Sequence, residues 1–267
     1  MKYYAGIGSR ALPPGMFHTM MKLAEELAQE GYVLRSGGAD GADTAFETGC
    51  NNAGGLKEIF LPTKGFNRNK STFFVPSPLA FEIAARYHPA WNGLDPFVKK
   101  LMARNVHQTL GQDCKTPSDF IVCYTRDGST GITTTQTGGT GQAIRIAHDL
   151  NVPIFNLKNK GTIEELRKYL IKLRTNEEKV LRREHTRCTR NRLQLEATNV
   201  CSCFHCLQTY SPSEIVEWCD EGETAICPKC GIDSVLPNET RRDLLVRMYD
   251  FWFTVKPKDT NEFYEDD

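Results

Sequence analysis

Four cysteines in the C-terminal part of the chain have the types and spacing of a metal site. Cys203 and Cys206 form one C-x-x-C pair, and Cys227 and Cys230 form a second pair after an intervening stretch of 20 residues. Two such pairs supply four thiolates, the ligand set of a tetrahedral zinc ion. Because four thiolates fill the coordination shell, the sequence predicts a structural zinc rather than a catalytic one.

The remaining cysteines support this interpretation and leave one alternative open. Seven of the 10 cysteines fall between Cys188 and Cys230, whereas a secreted, disulfide-linked domain spreads its cysteines through the fold. The chain starts without a signal-peptide segment and has no apolar run near the ~20 residues of a membrane span. We therefore expect a cytoplasmic protein that does not enter a membrane. Cys201, Cys219 or His205 could replace one of the four ligands.

Three polar, glycine-rich segments each follow a predicted strand: Gly6–Arg10, Ser36–Asp43 and Thr137–Gln142. The carboxyl ends of parallel strands together form a ligand crevice. Glycines let the backbone approach a ligand there, and the helix N-termini that follow offer N–H groups to an anion. The pattern predicts a phosphate-bearing ligand. The candidate binding residues are Gly8, Ser9, Arg10, Arg35, Ser36, Gly37, Gly38, Asp40, Gly138, Gly139, Thr140, Gly141 and Gln142.

The first of these segments does not predict a redox cofactor. Residues 6–11 fit the G-x-G-x-x-A pattern, but Arg35-Ser36 stands where an NAD-binding protein has the acidic residue that contacts the ribose. The chain also lacks a G-x-x-x-x-G-K-(S/T) phosphate loop. At the strand ends, Arg10 and Arg35 could hold a phosphate through two hydrogen bonds. Arg104 and Asn105 could face the same crevice.

Two carboxylates near the second loop are candidates for catalysis. Glu47, on the first turns of the following helix, could act as a general base or nucleophile, and Asp43 could also serve. Each of these carboxylates could instead have a purely structural role. Glu47 could be a solvated residue on the helix surface, and Asp43 could be the N-cap of that helix.

The order of apolar and amphipathic segments predicts the architecture. Residues 1–157 alternate short apolar runs with amphipathic stretches, which predicts an α/β, Rossmann-like, doubly wound parallel sheet of about five strands. Residues 158–198 predict one long helix or two helices that form a basic linker. Residues 199–255 predict a small zinc-ribbon or treble-clef-like domain, and residues 256–267 an acidic tail.

The net charge of zero hides an uneven distribution. Residues 1–157 carry a net charge of +2, residues 158–197 of +6, and residues 198–267 of −8. The basic segment could bind single-stranded DNA, whose affinity would then fall with salt. The acidic zinc domain would repel a phosphate backbone, so we expect it to contact protein or the basic segment instead.

The three glycine-rich segments also carry a resemblance. YYAGIGSR, LRSGGADGADTAFETG and TGGTGQAIRIA resemble the SLOG superfamily, which joins DNA-processing protein A (DprA) to the LOG nucleoside-monophosphate phosphoribohydrolases. The similarity spans residues 1–157 and is strongest to DprA-like proteins of tailed-phage and bacterial genomes. The second segment matches the DprA pattern S-G-x-A-x-G-I-D at Ser36, Gly37, Ala39, Gly41 and Asp43. The third matches the LOG pattern G-G-x-G-T-x-x-E at Gly138, Gly139 and Gly141.

The departures from these patterns decide the order of the functional hypotheses. Gln142 stands where the LOG pattern has threonine, and Arg145 where it has the catalytic glutamate. Arginine cannot act as the carboxylate of a glycosidic transition state. We therefore expect the crevice to bind a nucleotide or nucleotide-derived ligand for sequestration or sensing. A nucleotide N-glycosidase of the phosphoribohydrolase type and a DprA-like single-stranded DNA-binding protein are the alternatives. The resemblance also implies a homo-oligomer, located in the host cytoplasm if a phage encodes the chain.

Overall fold

The structure is a computed structural model that describes residues 1–254. The chain divides into two units, Met1–Lys168 and Tyr169–Asp267. The predicted acidic tail, residues 256–267, lies outside the described residues. Within residues 1–254, no helix combines the length and the apolar character needed to cross a membrane.

A five-stranded parallel sheet forms the centre of the first unit and confirms the predicted α/β class. Its strands are β1 (Lys2–Gly8), β2 (Tyr32–Ser36), β3 (Lys57–Ile59), β4 (Phe120–Tyr124) and β5 (Ile154–Asn156). They are ordered β3-β2-β1-β4-β5. The whole of β4 and four successive residues of β1 are buried, as expected for strands that are covered on both faces.

Helices cover both faces of this sheet, so the doubly wound arrangement is confirmed. The helices are α1 (Met16–Gln29), α2 (Ala42–Asn52), α3 (Pro78–Tyr87), α4 (Pro96–Leu110) and α5 (Thr140–Asp149). Side chains alternate along β1 because successive residues of a strand point to opposite faces. The Tyr4 ring lies 6.2 Å from that of Phe46 on α2. Ala5 and Ile7, whose side chains point to the other face of the sheet, pack in a cluster with Ala143 of α5.

The strand order creates a switch point between β1 and β4. From β1 the chain continues to β2 and β3 on one side of the sheet, and later returns to β4 and β5 on the other side. The connections that leave β1 and β4 therefore run in opposite directions and open a crevice at the carboxyl ends of these two strands. Their last residues are register partners, since Gly8 pairs with Tyr124.

Gly8 is required at this position by the close approach of β4. A Cβ atom on Gly8 would lie 2.7 Å from the carbonyl oxygen of Tyr124 and 2.8 Å from its amide nitrogen. Its φ of 152° is also one that residues with a side chain rarely adopt. Glycine therefore lets the first loop turn away from the sheet directly beside β4.

The helical segment predicted over residues 158–198 consists of two helices, α6 (Thr162–His185) and α7 (Arg192–Glu196). A short 3-10 turn at Thr186–Cys188 follows α6. Arg190 then has a φ of 46°, a left-handed conformation that cannot continue an α-helix. This backbone reversal separates the two helices.

The second unit also contains small antiparallel sheets and a last helix. Its strands are β6 (Cys201–Cys203), β7 (Thr209–Tyr210), β8 (Trp218–Cys219), β9 (Thr224–Ala225) and β10 (Val235–Pro237), and its last helix is α8 (Arg242–Phe253). The strand order β10-β6-β7 forms one sheet, and β8 pairs with β9. Tyr210, Ile215 and Val235 pack with buried cysteines in a single cluster. This cysteine-centred arrangement is compatible with the predicted small zinc-binding domain.

Candidate ligand-binding cavity and metal centre

A cavity of about 680 Å³ opens at the carboxyl ends of β1, β2 and β4. Residues 7–11 line it from the end of β1, and residues 135–140 line it from the segment that leads into α5. Side chains of α2 and α4 form the remaining wall, together with Arg126 from the loop after β4. The cavity thus occupies the crevice at the switch point of the sheet, where α/β folds bind their ligands.

The first two glycine-rich loops are held together by backbone contacts. The Ala42 amide donates to the Ser9 carbonyl at 3.1 Å. A Cβ on Gly41 would lie 2.5 Å from that same oxygen and 2.3 Å from the carbonyl oxygen of Arg10. The Ser36 hydroxyl donates to the Gly6 carbonyl at 2.7 Å and fixes the end of β2 against β1. These contacts set the position of the N-terminus of α2 at the cavity.

A buried ion pair forms the wall between α2 and α4. The Arg104 guanidinium donates to Oδ2 of Asp43 at 2.9 Å, and both side chains are more than nine-tenths buried. The same oxygen accepts the Ala39 amide at 3.2 Å. Burial raises the pKa of Asp43, although Arg104 opposes this rise, and burial lowers the pKa of Arg104. Gly37 makes room for the pair, because a Cβ there would lie 1.4 Å from Nη1 of Arg104.

Two buried donors at this wall lack acceptors. Nε of Arg104 and Nε2 of Gln108 have no hydrogen-bond partner among the described residues, and both side chains line the cavity. Leaving a buried donor unsatisfied costs about 1–3 kcal/mol. Both atoms are buried, so this cost belongs to the packing of the wall.

Two further arginines add positive charge to the cavity. Arg10 and Arg126 line it, are exposed, and form no side-chain hydrogen bond or ion pair with any residue between 1 and 254. Asp43 is the carboxylate of the described lining, and it is already paired with Arg104. The cavity therefore carries uncompensated positive charge, which favours an anionic ligand.

Two helix N-termini open toward the same space. The N-cap residues are Gly41 for α2 and Gly139 for α5, and no side chain of the described chain caps either helix. At α2 the Ala42 and Thr44 amides donate to the carbonyls of Ser9 and Ala39. The N-terminus of α5 therefore offers the more available partial positive charge to an anion. The entrance to α5 is open space, since a Cβ on Gly138 would meet no atom within 4 Å.

A carboxylate organises the threonine-rich loop that leads to α5. Asp127 accepts hydrogen bonds at 2.8 Å from the hydroxyls of Thr125 and Thr134, and a further one from Thr137. The Ser129 amide donates to the same carboxylate. Burial favours the protonated acid, but these donors outweigh it and hold the pKa of Asp127 well below its ordinary value. Thr137 lines the cavity, so Asp127 positions this side of the site.

The structure brings together about half of the residues that the sequence predicted for ligand binding. The predicted residues that line the cavity are Gly8, Ser9, Arg10, Gly138, Gly139 and Thr140. The predicted residues that lie outside its lining are Arg35, Ser36, Gly37, Gly38, Asp40, Gly141 and Gln142. The second loop thus acts mainly as a support, through contacts with Arg104 and with the first loop.

Arg35 is engaged away from the cavity. Its guanidinium donates to Glu58 and to the Thr116 carbonyl, both at 2.7 Å, and lies 3.8 Å from the centroid of the Tyr3 ring. Since these partners occupy the guanidinium and Arg35 lies outside the cavity lining, Arg35 is not part of the proposed site.

The two candidate catalytic carboxylates are separated by the structure. Glu47 lies outside the cavity lining and pairs with Lys57 at 2.8 Å and Asn69 at 2.9 Å. Asp43 lines the cavity. The expectation that Asp43 caps α2 is wrong, because the helix begins at Ala42 with Gly41 as its N-cap.

The two residues that depart from the LOG pattern point toward α3. Arg145 donates to the carbonyl of Tyr87 at 2.7 Å and to the Thr133 hydroxyl. Gln142 donates to the Ala84 carbonyl at 3.2 Å. Both side chains therefore stabilise the packing around α3 and lie outside the cavity lining.

Arg104 and Asn105 line the cavity, as their position on α4 suggested, but other lining residues were missed. Arg126 stands two residues after the end of β4, where the rule that ligands gather at strand ends would have found it. Gln108 had a weaker signal, since it lies one helical turn after Arg104 and shares its face of α4.

The second unit brings the four predicted cysteines together. The ligand atoms of Cys203, Cys206, Cys227 and Cys230 all lie within 4.8 Å of one another, so this quartet could hold a metal ion. Cys203 ends β6, and backbone amides point at the sulfurs: Cys206 N lies 3.5 Å from the Cys203 sulfur.

The alternative ligands have other surroundings. The Cys201 thiol donates to the Tyr210 carbonyl at 3.5 Å, and the Cys219 thiol to the Thr224 carbonyl at 3.7 Å. The His205 ring lies against Phe253, with 4.6 Å between ring centroids. The geometry therefore favours the four-cysteine set.

Comparisons with known proteins give only distant likenesses. No family model matches the chain, and no curated protein matches it. Similar solved structures include DNA processing protein A from Helicobacter pylori, described by its single-stranded DNA binding mode, at 19% identity and a TM-score of 0.39. The match covers 63% of this chain and 72% of that one.

Two further structures are similar at the same level. TM1055, a structural genomics target, is 20% identical with a TM-score of 0.35, and the match covers 58% of this chain and 72% of that one. The Moco carrier protein of Chlamydomonas rheinhardtii is 16% identical with a TM-score of 0.35, over 64% of this chain and 85% of that one. With all TM-scores below 0.5, the geometry of the site itself carries its interpretation.

Removing one partner of the buried ion pair should destabilise the first unit strongly. We expect Asp43→Ala to lower the free energy of unfolding by about 3 kcal/mol, because Arg104 would remain as an unpaired buried charge. The exposed pair between Arg167 and Glu26, at 3.1 Å, is the control. Glu26→Ala should cost below about 1 kcal/mol. Urea unfolding measures both, and equal losses would contradict the structural role given to Asp43.

The depressed pKa of Asp127 predicts a pH dependence of stability. Its carboxylate stabilises the folded state fully above the unfolded pKa of about 3.9, and this contribution is lost as the pH falls below that value toward the lower folded pKa. We expect Asp127→Asn to lower the melting temperature at pH 7, with the gap from wild type narrowing toward pH 3. A gap that is constant with pH, measured by circular dichroism, would contradict the assignment.

Proposed function

We propose that the first unit binds a nucleotide or nucleotide-derived ligand, with its phosphate at the switch point between β1 and β4. The main support is a pair of exposed arginines, Arg10 and Arg126, which line the cavity in that crevice and have no side-chain partner among residues 1–254. The uncapped N-terminus of α5 adds a partial positive charge beside the same space. Together these groups favour an anionic ligand.

Binding for sequestration or sensing fits this cavity better than turnover. Asp43 is the carboxylate that lines it, and its Oδ2 already accepts from Arg104 and Ala39. Glu47 is paired outside the lining, and Arg145 stands where a LOG enzyme has its glutamate. The three glycine-rich segments support membership of residues 1–157 in the SLOG superfamily, as a member that holds its ligand intact.

Thermal-shift and calorimetric titration of the full chain with mononucleotides, dinucleotides and cyclic nucleotides test the proposal. We expect at least one class to bind, and chromatography of the mixture to recover it without free base. Arg10→Ala removes an exposed, unpaired cation and should weaken binding at least tenfold. Arg104→Lys keeps a charge beside Asp43 but removes the guanidinium that lines the cavity, and should weaken binding similarly.

Arg86→Ala is the matched control, because Arg86 is exposed and lies outside the cavity lining. Its affinity should equal that of the wild type. Failure of every nucleotide class to bind would overturn the proposal. Release of free base that Asp43→Asn abolishes would favour the N-glycosidase alternative instead.

For the second unit we propose a structural zinc ion bound by Cys203, Cys206, Cys227 and Cys230. Four thiolates at mutual distances within 4.8 Å suit tetrahedral zinc, and such a site stabilises a unit with a small core. Ten large buried apolar residues share the cysteine cluster or its neighbour around α8, so metal and core would fold together. These residues are Leu181, Leu195, Phe204, Tyr210, Ile215, Val235, Leu236, Leu244, Leu245 and Met248.

We expect about one zinc per chain by mass spectrometry of the purified protein. Cys203→Ser and Cys227→Ser should lose the metal and lower the melting temperature of the second unit, because the tetrahedral shell is broken. Cys201→Ser and Cys219→Ser are controls and should retain it. Full zinc in Cys203→Ser, or its loss in both controls, would contradict this ligand set.

A further inference from the structure

A buried serine lies beside one of the four cysteines of the metal-binding quartet. Ser234 follows Cys230 in the sequence and immediately precedes β10. Its hydroxyl oxygen lies 3.1 Å from the Cys203 sulfur, within hydrogen-bond distance, and the residue is 1% exposed. Among residues 1–254, the Cys203 sulfur is the hydrogen-bond partner of this hydroxyl. The serine is thus directed at a proposed zinc ligand.

Strand pairing holds Ser234 in this place. Strands β10 and β6 pair antiparallel, with Val235 opposite Cys203. One step beyond this pair, the Phe204 amide donates to the Ser234 carbonyl at 3.0 Å. The backbone of Ser234 is therefore fixed by the sheet, which brings its side chain to the Cys203 sulfur.

The direction of this hydrogen bond depends on the protonation of the sulfur. Beside a thiol, either group can donate. A metal-bound cysteine is a thiolate, which has no proton and can only accept, so the serine must then be the donor. Hydrogen bonds to a charged acceptor are about twice as strong as those between neutral groups. Metal binding therefore strengthens the bond, and the bond in turn favours the metal-bound state.

Backbone amides also reach the first sulfur of each C-x-x-C pair. The Cys206 amide lies 3.5 Å from the Cys203 sulfur, and the Lys229 amide lies 3.4 Å from the Cys227 sulfur. These two contacts repeat one backbone pattern in both turns. Ser234 adds a side-chain donor to this pattern at Cys203. Because four thiolates leave a zinc site with a net negative charge, each such donor stabilises the bound state.

Ser202 offers an internal comparison. It is also buried, at 0% exposure, and it precedes Cys203 on β6. Successive residues of a strand point to opposite faces. The Ser202 hydroxyl interacts with the Glu239 carbonyl and the Thr209 hydroxyl. Both serines are buried and hydrogen-bonded, but Ser202 is bonded to oxygen atoms and Ser234 to a sulfur.

From these contacts we infer that Ser234 is a positioning residue of the metal centre. Its hydroxyl donates to the Cys203 thiolate, orients that sulfur and raises the affinity of the quartet for zinc. The inference rests on the proposed zinc site and adds to it a residue outside the ligand set. Partners of this kind typically contribute about 10- to 100-fold to the affinity of a metal site.

Competition with a chromogenic chelator measures the zinc affinity of the full chain and of its variants. We expect Ser234→Ala to bind zinc about tenfold or more weakly, because the thiolate loses a donor. Ser202→Ala is the matched control, since it removes a similarly buried hydroxyl one residue from the same ligand. Its zinc affinity should equal that of the wild type.

Cobalt(II) bound in place of zinc gives a second readout, which a general loss of stability does not imitate. A hydrogen bond lowers the energy of the sulfur electrons. Ser234→Ala should therefore move the sulfur-to-cobalt charge-transfer band to longer wavelength, and Ser202→Ala should leave it in place. Wild-type affinity or an unmoved band in Ser234→Ala, or equal losses of affinity in the two variants, would overturn the inference while the proposed zinc site stands. A full chain that neither contains nor binds zinc would remove both.

Discussion

The ion pair between Asp43 and Arg104 is the interaction on which the cavity depends. It joins the first turn of α2 to the middle of α4 and is more than nine-tenths buried. Desolvation makes such a pair costly, and neither partner can be removed without leaving a buried charge. Gly37 gives the guanidinium its place. The pair therefore fixes the wall of the cavity, and at the same time leaves Nε of Arg104 without an acceptor.

Much of the fold could be predicted from the sequence because its signals are local. Apolar runs and amphipathic periodicity specify strands and helices one element at a time, and the five-stranded sheet followed from their alternation. The function of a glycine is less local. Gly8 and Gly138 border the cavity, whereas Gly37 makes room for a side chain of α4 that lies 67 residues later in the chain. Gly8 permits the close approach of β4 and Gly37 that of Arg104, whereas Gly138 borders open space, and the sequence does not distinguish these cases.

The role of a charged residue is also hard to predict from the sequence alone. Arg10 and Arg35 both lie near strand ends, but Arg35 forms an ion pair with Glu58 on the neighbouring β3. Glu47 likewise forms an ion pair with Lys57. These partners depend on which strands become neighbours, which is a property of the topology. Arg126 shows the opposite case, since it stays unpaired within residues 1–254 and faces the cavity. A charged residue at a strand end becomes a candidate for binding only when the topology leaves it without a partner.

The two sides of the crevice are stabilised by different interactions, so they should differ in how easily they adjust to a ligand. The α2 side rests on a buried ion pair and on backbone contacts between loops, which water cannot easily replace. The α5 side rests on hydroxyl bonds to Asp127, and Thr134, one of their donors, is exposed. Water competes for such bonds, so opening this loop costs less free energy. A ligand would therefore meet a fixed anchor at Arg104 and an adjustable wall around residues 134–140.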